Sequence, residues 1–300
     1  MHATSYYIFL TLMAIANSSF SQQSVAAQLG YPADARLLII HADDLGVSHS
    51  ENMASFEAFE NGSVNSASIM MPTPWVTEVA DYVKANPEHD FGLHLVLSSE
   101  WKNYKWGPVA SLDKVPSLVN EQGYFRENCI SDLNIAEVEI ELKAQIDRAI
   151  AMGIEPTHLD THMGCLAQTL ELIQVYLKMG QLYNMPVLAN NQVPKALRDQ
   201  FDVKVLIDEL FMITPQDFSN GAANYYIDVL NKLKPGLSII LVHTAYDNDE
   251  MQGMCIDHPA YGSEWRQQDF DFFTSDECKQ LIESEGIKLV TWREIKEALY

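Results

Sequence analysis

Apolar and polar positions alternate along this chain in blocks that read as strand, helix, strand, helix. The first strong block is Leu37-Leu38-Ile39-Ile40, which runs through His41 and Ala42 into Asp43-Asp44-Leu45-Gly46. A short unbroken apolar run closed by turn residues predicts a strand buried on both faces, here over 37–42. Helical spacing follows over 50–60, with Met53, Phe56 and Phe59 on one side and Asn61-Gly62 ending the pattern. A second strand is predicted over 64–71, a helix over 76–85, and a third strand over 91–97 that carries His94. The clearest amphipathic helix covers 135–152, with Ile135, Val138, Leu142, Ile146 and Ile150 on one stripe. Beyond Gly153 the pattern predicts strands over 156–161, 185–189, 237–243 and 287–291, and helices over 170–182, 222–233, 275–284 and from Trp292 onward. Two stretches lack a clear period, 101–124 and 192–215. A connection as long as the first is usually functional or disordered. Its aromatics, Trp101, Tyr104, Trp106 and Tyr124, with Phe125 just beyond, predict a packed loop able to stack on a substrate.

Strands that alternate with helices build βαβ units and a parallel sheet. Seven or eight such units in one chain predict an irregular (β/α) barrel, TIM-barrel-like, forming a single domain over 22–300. The polar candidates Asp43, Asp44, His94, His158 to His162 and His243 all fall at the C-terminal ends of predicted strands. In (β/α) barrels that edge carries the active site. Glycine-rich phosphate loops, the nucleophile elbow and the H-E-x-x-H helix are absent from the sequence.

Composition narrows the partners. The chain has 300 residues, 47% of them hydrophobic, and a formal net charge of −22. Such a charge speaks against nucleic acid and anionic membrane surfaces. The partner expected is a small-molecule or oligosaccharide substrate, and a homodimer is compatible with the sequence. An apolar run over 6–16, followed by small and polar residues to Ser21, is too short to span a bilayer. It predicts a secretory signal peptide over 1–21 and an exported protein, periplasmic or secreted, with no membrane contact after cleavage. The four cysteines, Cys129, Cys165, Cys255 and Cys278, are widely spaced. A core of this size does not need disulfides, so separate thiols are expected.

The candidate chemistry lies in three clusters. Two adjacent acids at the end of a buried strand need compensation, because unpaired buried charge is expensive. A helix cap and a solvent-facing acid would be the plain structural answer; a metal ion or a catalytic proton is the functional one. His158, Asp160 and His162 repeat at period two, so they share one face of a strand. Aspartate and histidine together suit zinc, and with water also magnesium, manganese or nickel. Asp44, His94 and one of the downstream histidines would supply three ligands and leave a position open for water.

His41-Ala-Asp-Asp-Leu-Gly46, Gly92-Leu-His94-Leu95 and His158-Leu-Asp-Thr-His162 resemble, in order and separation, the three signatures of the YdjC-like carbohydrate deacetylases. That family includes chitooligosaccharide deacetylases and hopanoid-associated N-deacetylases. The resemblance implies an irregular (β/α) barrel and hydrolysis of N-acetyl groups from sugars with one divalent metal ion, zinc or magnesium foremost. By position it implies Asp44, His94 and His162 as metal ligands, Asp43 as general base and His243 as general acid. It also implies that Arg266 orients Asp43 through a bidentate pair. Two places depart from the family pattern: Gly164-Cys165 stands where many members carry another histidine, and Thr244-Ala245 where Pro-Gly is common. The competing functions are a metal-dependent phosphoesterase and a carbohydrate-binding barrel without turnover.

Overall fold

A computed structural model describes residues 24–129 and 132–300. The predicted signal peptide therefore lies outside the described residues. Among the described residues, seven strands form one parallel sheet: β1 (Arg36–Leu45), β2 (Ser66–Ile69), β3 (Phe91–Leu95), β4 (Leu159–Thr161), β5 (Glu209–Met212), β6 (Gly236–Val242) and β7 (Lys288–Leu289). The order across the sheet is β4-β3-β2-β1-β6-β5, with β7 added beside β1. The start of β1 pairs with β7 at Leu37 and Leu38, and its end pairs with β2 from His41 onward. The sheet curls, and its edges β4 and β5 approach each other across residues 187–190. Closure there rests on isolated bridges, Leu159 to Val187 and Asn190 to Ile207. The strand expected over 185–189 is reduced to those bridges. The fold is thus an irregular, curled half-barrel rather than a fully closed barrel.

Alternation along β1 explains what lies inside. Leu38, Ile40 and Ala42 join the large core under the helices. Leu37 and Ile39 face the other way, packing with Leu237, Ile239, Val205, Ile207 and Trp292. His41 and Asp43 continue that second face toward the C-terminal end. The interior is therefore apolar at the bottom and acidic and basic at the top. One layer below the polar cluster, His158 stacks on Trp292 at 5.1 Å and meets His41 edge-on at 5.0 Å. It lies over Gly92, where an added Cβ would come within 2.4 Å of the ring. Gly92→Ala is expected to destabilise by about 1–3 kcal/mol through overpacking, a fall in Tm of about 2–4 °C per kcal/mol. Thermal unfolding followed by circular dichroism measures it, and an unchanged Tm would mean that the ring moves aside freely.

The helix expected over 135–152 spans Ile135–Ala151. Val138, Leu142 and Ile146 are buried, but Ile150 is half exposed and Ala149 takes its place in the core. The same helix buries Glu141 and Gln145, which explains the long aromatic loop. Glu141 accepts hydrogen bonds from the backbone of Val109 and Ala110, and Gln145 pairs with both backbone groups of Val96. The loop is packed, as expected, but its tryptophans are not offered to a ligand. Trp101 and Trp106 are 1% and 3% exposed. Trp106 donates to the Ser98 carbonyl, and Tyr104 donates to that of Val47.

The expectation of separate thiols is corrected: Cys129 and Cys165 form a disulfide that ties the end of this loop to the segment after His162. Cys255 and Cys278 are free and buried. Spacing could not reveal the pair, because 36 residues separate two cysteines that only the folded loop brings together.

Candidate active site

Neighbouring residues on a strand point in opposite directions, so Asp43 and Asp44 should not share a cavity. The backbone resolves the conflict at Asp44 itself. Its φ is +68°, in the left-handed region, and the ladder to β2 slips between Ala42 and Leu45. The chain thus turns at Asp44 itself. A non-glycine residue held there costs on the order of 1–2 kcal/mol, a cost aspartate tolerates better than most. Gly46 follows with φ +96° and donates its N–H to Asn52.

Both carboxylates then face one recess. Asp44 Oδ1 lies 3.4 Å from His94 Nε2 and 3.2 Å from His162 Nδ1. All three residues are buried, and their ligand atoms lie within 4.8 Å of one another. The two rings approach Asp44 Oδ1 without hydrogen-bond geometry, and that buried oxygen has no hydrogen-bond partner among the described residues. The far side of each ring is held. His94 Nδ1 meets Asp160 Oδ1 at 2.7 Å, and His162 Nε2 meets Glu100 Oε2 at 3.0 Å. A carboxylate behind each imidazole is the arrangement that orients metal-binding histidines. Burial pushes His162 down, but Glu100 and Asp44 outweigh it and raise the ring to about 10. Positive charge is drawn to this point, and a divalent cation fits the donor set.

The cluster has a second buried layer. His41 Nε2 lies 2.8 Å from Asp160 Oδ2 and 3.2 Å from Asp43 Oδ1. Desolvation opposes its charge, yet the two carboxylates hold it at about 10. Asp160 is held well below the usual carboxylate range: burial would raise it, and His94 and His41 prevail. His243 stands at the end of β6, its Nε2 3.9 Å from Asp44 Oδ2 and 4.0 Å from Asp43 Oδ2. Its backbone N–H donates to Asp269, which also accepts from Tyr226. Burial pushes the His243 ring down to about 4 against the pull of Asp44.

Arg266 corrects the sequence reading. Its guanidinium is buried and donates to Asp44 Oδ2 and Glu51 Oε2, each at 2.7 Å, not to Asp43. Its guanidinium carbon lies 5.4 Å from the centre of the Trp101 ring. Arg266 therefore holds the carboxylate whose other oxygen faces the two histidines. It comes from the helix Ser263–Thr274, and the whole stretch 244–274 carried no predicted element. Of the period-two residues, Asp160 and His162 reach the recess and His158 does not.

Sequence reasoning singled out Asp43, Asp44, His94, His162, His243 and Arg266, and the fold gathers all of them. It assigned no role to His41 or Asp160, although both lie inside the motifs. Glu100, Glu51 and Asp269 carried no signal, being isolated acids in a chain with 41 acidic residues.

Fold and site together define the class: a curled α/β half-barrel with an Asp/His/His cluster, backed by buried acids, at the C-terminal ends of its strands. The chain belongs to the YdjC-like protein family, whose profile matches residues 37–284. A carbohydrate deacetylase from Brevibacillus brevis is 31% identical over 271 residues, covering 86% of this chain and 99% of that protein. One from Thermoanaerobacter pseudethanolicus is 27% identical over 264 residues, covering 87% of this chain and all of the relative. A crystal structure from Enterococcus faecalis, described as a cellobiose-phosphate cleavage protein, superposes with a TM-score of 0.74 at 24% identity, over 87% of this chain and 99% of that one. That likeness is one of fold.

Proposed function

We propose that the protein is a metal-dependent hydrolase that removes acetyl groups from N-acetylated carbohydrates. The observation that carries this reading is the convergence of Asp44, His94 and His162 around an unpartnered carboxylate oxygen, with Asp43 beside them. Relatives named carbohydrate deacetylase, aligned over nearly their whole length, support the substrate class. Asp44, His94 and His162 would hold one divalent ion, which lowers the pKa of a water and polarises the acyl carbonyl.

The chain's own residues supply the proton transfers. Asp43 takes the proton of the attacking water through Oδ2, since Oδ1 is engaged by His41. Burial pushes the His243 ring down to about 4, so it serves as general acid only after it has taken up a proton. The proton gained by Asp43 then reaches the leaving amine through His243, whose Nε2 is 4.0 Å from Asp43 Oδ2, a gap that one water bridges. Cleavage of the C–N bond leaves acetate and a free amino sugar. The phosphoesterase alternative is disfavoured by Arg266, whose two terminal nitrogens are both engaged by carboxylates rather than offered to a phosphate. Export of the mature protein is part of the same proposal, supported by the apolar N-terminal run and by the Cys129–Cys165 bond, since disulfides persist in oxidising compartments.

Acetate release from a panel of N- and O-acetylated sugars, with metal-free protein and with zinc, magnesium, manganese or nickel restored, tests the reading. Metal-dependent release from N-acetylated sugars is expected. No release from any sugar by protein that binds metal stoichiometrically would overturn it.

A further inference from the structure

The fully buried His41 is not needed to fill the metal cluster, and it is not placed to touch a substrate. It lies between the two halves of the machinery. Its Nδ1 faces Ser66 Oγ at 2.9 Å, the residue paired with it on β2. Its Nε2 faces Asp160 Oδ2, Ser68 Oγ and Asp43 Oδ1 at 2.8, 3.1 and 3.2 Å. A ring nitrogen set against two carboxylate oxygens has to donate, so the proton on Nε2 is fixed by its surroundings. Each carboxylate then has one oxygen bound to His41 and the other directed at the chemistry. Asp43 keeps Oδ2 on the side of His243. Asp160 keeps Oδ1 for His94 Nδ1, which leaves His94 Nε2 toward Asp44.

We infer that His41 is a positioning residue that ties the base Asp43 and, through Asp160, the metal ligand His94 into one hydrogen-bonded line. The inference rests on the proposed reaction for the role of Asp43, but its metal-binding half stands apart from it. The remaining sequence signal agrees: His41 is the sole polar residue in the run 37–42, a place where an apolar side chain would otherwise complete the strand. Ser66 and Ser68 are the polar residues of β2 facing it, so the strand is built around this ring.

The test compares His41→Gln, which keeps an N–H donor on a side chain of similar length, with His41→Met, which keeps bulk and removes the donor. Zinc binding is measured by calorimetric titration of the mature protein, and kcat and KM by acetate release. His41→Met is expected to weaken zinc by about 10-fold, the lower end of what losing the group directly behind a ligating histidine costs, because Asp160 stays but is no longer held. It should also lower kcat by about 100-fold, the range of a misdirected general base, with KM changed by no more than about threefold. His41→Gln should stay nearer the wild type in both. Equal losses in the two variants would overturn the inference, because keeping the donor would then make no difference; so would zinc affinity and kcat at wild-type levels in His41→Met. Should either variant fail to fold, NMR of the wild-type protein decides: a proton on His41 Nε2, identified by its contact to Ser68 and told apart from one on Nδ1, which faces Ser66, is expected with and without zinc. A ring without that proton refutes the assignment. A wild type that binds zinc but releases no acetate sinks the deacetylase reading alone, and the zinc titration and NMR still judge His41.

Discussion

Asp43→Asn is expected to leave metal stoichiometry unchanged and to lower kcat by about 10³-fold, within the range general bases contribute. The side chain keeps its shape, and its carbonyl oxygen can still accept from His41 Nε2, 3.2 Å away in the wild type. What it loses is the ability to take the proton of the attacking water. Elemental analysis of the purified variant together with steady-state kinetics separates the outcomes. Asp43, His94 and Asp160 also lie close enough together to hold an ion. Loss of metal along with turnover would therefore make Asp43 a ligand rather than a base. Full activity would remove it from the chemistry.

Arg266→Met carries the largest expected cost in stability. Arg266 bonds Asp44 and Glu51, and all three are buried. Removing one partner of a buried charge network costs about 3–5 kcal/mol, because the carboxylates left behind keep neither water nor a counter-charge. At about 2–4 °C per kcal/mol, Tm should fall by about 10 °C. Burial already raises Glu51 against the pull of Arg266, so losing the guanidinium raises it further and favours its neutral form. Added divalent ion should recover part of the loss, since a cation that binds the folded state stabilises it. An unchanged Tm, read by calorimetry with and without metal, would show that the network contributes little.

Much of the fold was legible because its strands and helices have different periods. The helix predicted over 76–85 is found at Val76–Ala85, and that over 222–233 at Ala222–Lys232. The helix Ser263–Thr274 was illegible for an identifiable reason. Its buried side includes Arg266 and Asp269 beside Trp265, Phe272 and Phe273, so charge on the inward face erased the apolar stripe. The short helix Lys195–Gln200 and β5 escaped likewise. The exposed positions of β5 are themselves apolar, Leu210 and Met212, which removes the alternation a strand should show.

The site divides along the same line. Local order placed Asp43, Asp44, His94, His162 and His243 at strand ends, because a buried strand tolerates ionisable groups only where it reaches the rim. Pairings were beyond it. Which oxygen of Asp44 meets Arg266, which acid stands behind each histidine, and which cysteines join all depend on groups separated by up to 222 residues. Period, strand ends and motif residues are properties of neighbours along the chain. Partners are chosen by the curl of the sheet and by the left-handed turn at Asp44, where the need to compensate buried charge outweighs the ordinary preference of the backbone.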